Sequence, residues 1–356
     1  MSWSLRITPI FLLAMTVLFA LADAVSAEDR PGTPTDAAQV NDVRINEVRT
    51  VVEKAIPYIK NEGVRWMEKR GCVSCHQVPA MLWSLSVAHD RGFDVDRKDL
   101  AKWNEWSVDV VNFVKPEQKK DVDHDKTMSA NIDTMTALMF AITPTDADGN
   151  WRTKFAKALT ENQQDDGSWK ACGQLPMQKR PKDETNRVTS AWTYLSLLRH
   201  ANPALKPDDQ VLAFIDSGPQ AKSTEWWAVR KLLASHLGDS AQEQKTRAKL
   251  LASQNDDGGW GWIGGQSSDA LATGLVMYSL SQTPSTKTAS PTILAKSLSS
   301  STQFLVSTQK ENGSWSVPGT KTSAQGKATA TSNYWGTAWA VIGLLEHYQD
   351  AGPITE

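Results

Sequence analysis

The sequence predicts an all-α fold of repeated helix pairs, and three observations carry that prediction. Apolar residues recur at helical spacing in about twelve segments. A seven-residue turn returns three times between such segments, at Gln163–Trp169, Gln254–Trp260 and Gln309–Trp315. Period-two alternation, the mark of a half-buried strand, is evident nowhere. The repeating unit is therefore helix, turn, helix, and about six such pairs would close one ring.

Each turn reads Gln-x-x-(Asp/Asn)-Gly-(Ser/Gly)-Trp. Asp or Asn followed by Gly reverses a chain sharply, because Gly takes positive φ without steric cost. Gln at the helix end can bond neighbouring backbone, and Trp covers the turn with apolar surface. Periodicity places outer helices near 43–70, 97–114, 152–163, 207–217, 241–254 and 292–309. The inner helices fall near 79–90, 129–142, 186–200, 223–237, 267–282 and 331–348. The inner set is rich in Ala, Ser, Thr, Leu and Trp and poor in charge, as helices packed on both sides must be.

These turns resemble the QW repeats of the terpenoid cyclase and protein prenyltransferase superfamily, which includes squalene–hopene cyclases. The resemblance implies an α6/α6 toroid of concentric helices over 43–350. In such a ring all outer-to-inner turns lie on one rim.

Ahead of that domain, 1–27 has Arg6, an apolar run from Ile10 to Leu21, and Ala24-Val25-Ser26-Ala27. This is the pattern of a secretory signal peptide cleaved after Ala27, so a periplasmic or secreted protein with no membrane span after cleavage is expected. Residues 28–42, with Pro31, Gly32 and Pro34, read as a disordered leader. A formal net charge of −2 gives no electrostatic reason to expect nucleic acid.

Two of only three cysteines fall in Cys72-Val73-Ser74-Cys75-His76, a c-type haem attachment pattern. The reading this supports is one covalent haem c. Cys72 and Cys75 would carry thioethers, and His76 would be the proximal iron ligand. Export is compatible with haem attachment; a Cys72–Cys75 disulfide on a haem-free scaffold is the competing reading. The motif takes the place of the Gln–Trp turn in the first pair, which puts the haem at one mouth of the ring. His124 shares that rim and is the first candidate distal ligand, followed by Met128 and then Met177. His89, His200, His236 and His347 fall at inner-helix ends, on the opposite rim. The expected function is electron transfer with a redox partner protein.

A second reading is a cyclase- or lyase-like enzyme acting on an apolar, isoprenoid-like ligand. Squalene–hopene cyclases use the middle Asp of an Asp-x-Asp-Asp motif as acid. The nearest match is Asp121-Val122-Asp123-His124-Asp125, in which His124 replaces the last Asp. Asp121, Asp123 and Asp125 are its candidate acids. Trp83, Trp192, Trp226, Trp227, Trp335 and Trp339 on inner helices, with Trp169, Trp260, Trp262 and Trp315 in rim turns, could wall a bowl, although packing explains most of them as well. Complement-type thioester domains share the toroid but need Cys and Gln three apart. Here Cys75 stands three after Cys72, so no thioester is expected. Asp146–Asn150 resembles part of a calcium loop, but an Asp-Gly turn accounts for it. The loop Gly173–Pro181 could cover the mouth.

Overall fold

The computed structural model describes residues 34–348 except 75, 143–149, 174, 201–207 and 283–290, with side chains from 45 onward and without that of His200. The segment expected as a signal peptide, Cys75 and the Asp146–Gly149 segment therefore lie outside the described residues. The described residues are helical, with isolated bridges and no strands. None of their helices is long and apolar enough to cross a membrane.

In chain order the helices are α1 (Pro34–Arg70), α2 (Val78–Asp90), α3 (Arg97–Val108), α4 (His124–Ser129), α5 (Ile132–Ala141), α6 (Trp151–Glu161) and α7 (Lys182–His200). They continue as α8 (Asp209–Asp216), α9 (Thr224–Leu237), α10 (Ser240–Ala252), α11 (Ala270–Ser281), α12 (Pro291–Thr308) and α13 (Ala330–His347). Helix α1 begins at Pro34, inside the segment expected as a leader. The short α4 precedes α5 where one inner helix was expected. The cause is local: the Asn131 side chain donates to Thr127 O, and the chain turns at Ala130–Asn131 before α5 begins.

The inner helices α2, α5, α7, α9, α11 and α13 touch in sequence, and α13 returns to α2. That closed circuit is the inner wall of an α/α toroid, with α1, α3, α6, α8, α10 and α12 outside it. The wall is tightest between α11 and α13, where Gly274 packs against the Trp339–Ala340 backbone and Gly343 against Gly274. Any side chain at Gly274 would overlap the Trp339 carbonyl.

The Gln–Trp turns stitch this ring by one repeated geometry. Each Trp indole N–H donates to the carbonyl ten residues earlier: Trp169 to Leu159, Trp260 to Leu250, and Trp315 to Leu305. Each Trp backbone N–H donates to an inner-helix hydroxyl, of Ser190, Thr273 and Thr337. Four residues before each hydroxyl, Asn186, Asp269 and Asn333 accept a second backbone N–H from the turn. The turn glycines, at φ of 81°, 87° and 80°, abut the next outer helix: Gly167 on α8, Gly258 on α12, and Gly313 on α1. Gln309 Nε2 also donates to Val51 O, closing the ring from its last turn onto its first helix.

Candidate functional site

Where the inner helices begin, the ring opens as a bowl. Its floor is a circuit of four rings, from α2, α5, α7 and α13. Trp83 stacks on Phe140 (5.4 Å between centroids), Phe140 meets Trp192 edge-on (5.3 Å), Trp192 lies 6.2 Å from Trp339, and Trp339 returns to Trp83 at 5.2 Å. Tyr278 packs against Trp83 and Trp339, so aromatic packing fills the middle of the toroid. The Trp residues are thus packing groups and bowl lining at once.

Four ionisable side chains face this apolar enclosure: His76, Asp133, Arg180 and Glu225. Asp133 and Glu225 stand in the first turns of α5 and α9, where helix dipoles favour acids. Asp133 Oδ1 accepts from the Thr189 hydroxyl at 2.7 Å, and Oδ2 accepts from Cys172 N at 2.8 Å. Burial raises its pKa to about 6, with the Glu225 charge adding to the rise and the two hydrogen bonds and Arg180 opposing it. Arg180, just before α7, donates from Nη1 to Glu225 Oε2 at 2.6 Å and from Nε to Thr185. Trp192 Nε1 donates to the other Glu225 oxygen at 3.1 Å. Both oxygens of Glu225 are therefore engaged. Below this pair, buried Glu184 accepts from the Lys222 and Ser223 amides and from Ser223 Oγ, joining α7 to the start of α9.

His76 sits in the first outer-to-inner turn, its ring 6.1 Å from Trp335 and its Nδ1 3.4 Å from Ser74 Oγ. Burial, with the Lys321 charge second, lowers its pKa to about 4, which leaves a neutral imidazole at physiological pH. Cys72 faces other surroundings: its carbonyl accepts from Trp66, and Lys119, Lys115, Arg70 and Glu117 are its charged neighbours. Burial raises the Cys72 thiol pKa, with those cations opposing.

The other sequence candidates lie away from the bowl lining. Asp121, Asp123 and Asp125 are exposed, and Asp123 caps α4 by accepting from Lys126 N. His124 is exposed, Met128 packs against the core, and Met177 is 64% exposed on the rim. The Gly173–Pro181 loop does reach the bowl, through Leu175 and Arg180. Sequence reasoning passed over Asp133, Arg180 and Glu225. Only Asp133 carried a signal, as the single charge of the otherwise uncharged helix Ile132–Ala141; Arg180 and Glu225 stand among other charged residues and had none.

Asp269 also has its pKa raised to about 6 by burial. It occupies the scaffold position of Asn186 and Asn333 in the other turns, and the bowl lining does not include it.

A family model described as the A-macroglobulin TED domain matches residues 205–353, which hold α8 to α13. No curated protein sequence matches the chain. Among solved structures, a possible member of the GH105 family from Salmonella enterica serovar Paratyphi A is similar over 86% of this chain and 94% of that one. The two are 13% identical, with a TM-score of 0.54. A possible GH105 member from Klebsiella pneumoniae is also 13% identical, over 85% of this chain and 82% of that one, with a TM-score of 0.35.

These findings correct the sequence expectations. The resemblance to squalene cyclases and prenyltransferases does not hold beyond the toroid, because Gln–Trp turns report how a ring is stitched rather than what it holds. The isoprenoid cyclase reading goes with it, since Asp121, Asp123 and Asp125 lie outside the bowl lining. Haem-based electron transfer is overturned too: the family model that matches is the A-macroglobulin TED domain, and the solved structure similar in fold is a possible GH105 member. Among the described residues, no three His, Cys, Asp or Glu side chains are grouped to hold a metal. The matched segment contains no cysteine, so the likeness to a TED domain brings no thioester with it. What the comparisons and the structure show together is an all-α toroid, similar in its second half to the A-macroglobulin TED domain.

Proposed function

We propose that the bowl binds a sugar ring and that Asp133 is the acid that cleaves its glycosidic bond. The observation that carries this reading is the placement of Asp133, a carboxyl with a pKa of about 6, in an enclosure floored by Trp and Phe rings. Indole faces stack well on the C–H faces of sugar rings, and Trp83, Trp192, Trp335 and Trp339 line the bowl. At neutral pH about one Asp133 in ten carries its proton, enough for general acid catalysis.

The chemistry needs one carboxyl acting twice. Protonated Asp133 gives its proton to the glycosidic oxygen as the C–O bond breaks and the leaving alcohol departs. The resulting carboxylate then takes a proton from the water that attacks the sugar carbon, restoring the acid. The Glu225–Arg180 ion pair, fixed by Trp192, forms a rigid polar edge on the lining of the same bowl. The likeness to the Salmonella protein is one of fold, so the reading rests on the bowl itself.

The test is a titration of intrinsic Trp fluorescence with neutral and acidic oligosaccharides, followed by an assay for released reducing ends. Binding is expected to change the fluorescence. Asp133→Asn is expected to keep binding within a few-fold while lowering turnover by about 10³ or more. Absence of a fluorescence response across the panel would overturn the proposal. Equal turnover by Asp133→Asn would remove Asp133 as the acid.

A further inference from the structure

We infer that Thr189 is a positioning residue for Asp133, and that with the Cys172 amide it forms a two-point clamp on the carboxyl group. This deepens the reading above and rests on it for its catalytic meaning. The clamp engages both oxygens from different elements: Thr189 Oγ1 from α7 on Oδ1 at 2.7 Å, and Cys172 N from the third turn on Oδ2 at 2.8 Å. Two fixed donors set the plane of the carboxyl group, so the proton is held toward the bowl rather than swept through a rotation.

Comparison among the repeats separates this contact from the scaffold. The hydroxyls of Ser190, Thr273 and Thr337 all take the turn Trp amide, which makes that position structural. One residue earlier stand Thr189, Ala272 and Gly336. Only Thr189 of these has a hydroxyl, and it is turned to an acid on the neighbouring inner helix rather than to the turn. The amides of Ala171, Trp262 and Val317 go to the scaffold positions Asn186, Asp269 and Asn333. Cys172 N is a further donor, reaching across to α5. The departure from the repeat occurs at the bowl, where both contacts converge on one carboxyl group.

The charged groups around Asp133 define what the clamp works against. Glu225 on α9 raises its pKa, and Arg180 before α7 lowers it. The Cys172 thiol, itself raised by burial and by Asp133, lies on the turn, and His76 shares the bowl. Thr189→Val removes one donor to the ionised form and leaves all of these in place.

The experiment uses the full chain and follows the Asp133 carboxyl by ¹³C NMR, identified by its loss in Asp133→Asn. Thr189→Val is expected to move the titration midpoint up by about one pH unit. It should lower kcat on a cleaved oligosaccharide about tenfold or more with KM little changed, and Thr189→Ser should restore both. Thermal melting checks each fold, and Thr189→Ala replaces the Val variant if that one does not fold. A midpoint equal to wild type, or a shift that Thr189→Ser does not reverse, would overturn the clamp. The titration needs no substrate, so failure of the clamp and failure of the sugar-cleaving reading are told apart.

Discussion

Lys231 stands at the middle of α9 with no solvent exposure, its Nζ donating to Ser279 O at 2.6 Å and 3.8 Å from Glu243. Burial lowers its pKa from 10.5 to about 7, against the attraction of Glu243. The unfolded chain therefore holds a proton that the folded chain has lost between about pH 7 and 10.5. Stability rises with pH across that window and is lowest below it. Lys231→Met removes the buried charge, and Glu243 keeps Arg247 at 3.4 Å as its partner. The variant should be more stable than wild type by about 1–3 kcal/mol at pH 6, with the advantage shrinking toward pH 10. Urea unfolding at pH 6, 8 and 10 measures this, and a variant that loses stability at pH 6 contradicts it.

At the scale of elements, the turns differ in how much their glutamines join. Gln254 Nε2 donates to Gly258 O, Ser297 O and Ser301 Oγ, and Gln309 Nε2 to Gly313 O and Val51 O. Gln163 Nε2 reaches only its own turn, at Gly167 O. Replacement by Ala should cost about 1–3 kcal/mol at 254 and 309, and less at 163. Glycine is stricter, because Gly258 combines a φ of 87° with a Cβ position 2.5 Å from Ser300 O. Gly258→Ala should cost more than Gln254→Ala, and chemical denaturation of the four variants gives the order directly.

At the scale of the molecule, closure is the source of cooperativity. The inner wall is complete only when α13 lies between α11 and α2, and the last turn docks on α1. A chain ending at residue 290 lacks α12 and α13 and exposes the faces of α2 and α11 that they cover. It should show no cooperative thermal transition by circular dichroism and should bind a hydrophobic dye. A sharp transition in that fragment would show that the ring is modular rather than closed.

Much of this architecture was legible because helical periodicity and turn chemistry are local. Apart from α1, which starts early at Pro34, and α3, which ends early at Val108, inner and outer helices fall within a few residues of their expected places, and the turn glycines take the positive φ their motif requires. Aromatic residues on inner helices were visible too, but whether they packed or lined a cavity was not. They do both, since rings converging from α2, α5, α7 and α13 fill the centre and leave their upper faces to the bowl.

The site was hidden for the opposite reason. Motifs with compact spacing drew attention to Cys72–His76 and Asp121–Asp125, whereas Asp133, Arg180 and Glu225 are scattered over more than ninety residues with no shared pattern. The sequence by itself determined an all-α repeat, its turns and its ring of helix pairs, because each depends on neighbours a few residues apart. Only the tertiary structure decided that Asp133 meets Thr189 and Cys172, and that Arg180 meets Glu225. Those contacts come from closing the ring, which brings distant helix starts to one mouth.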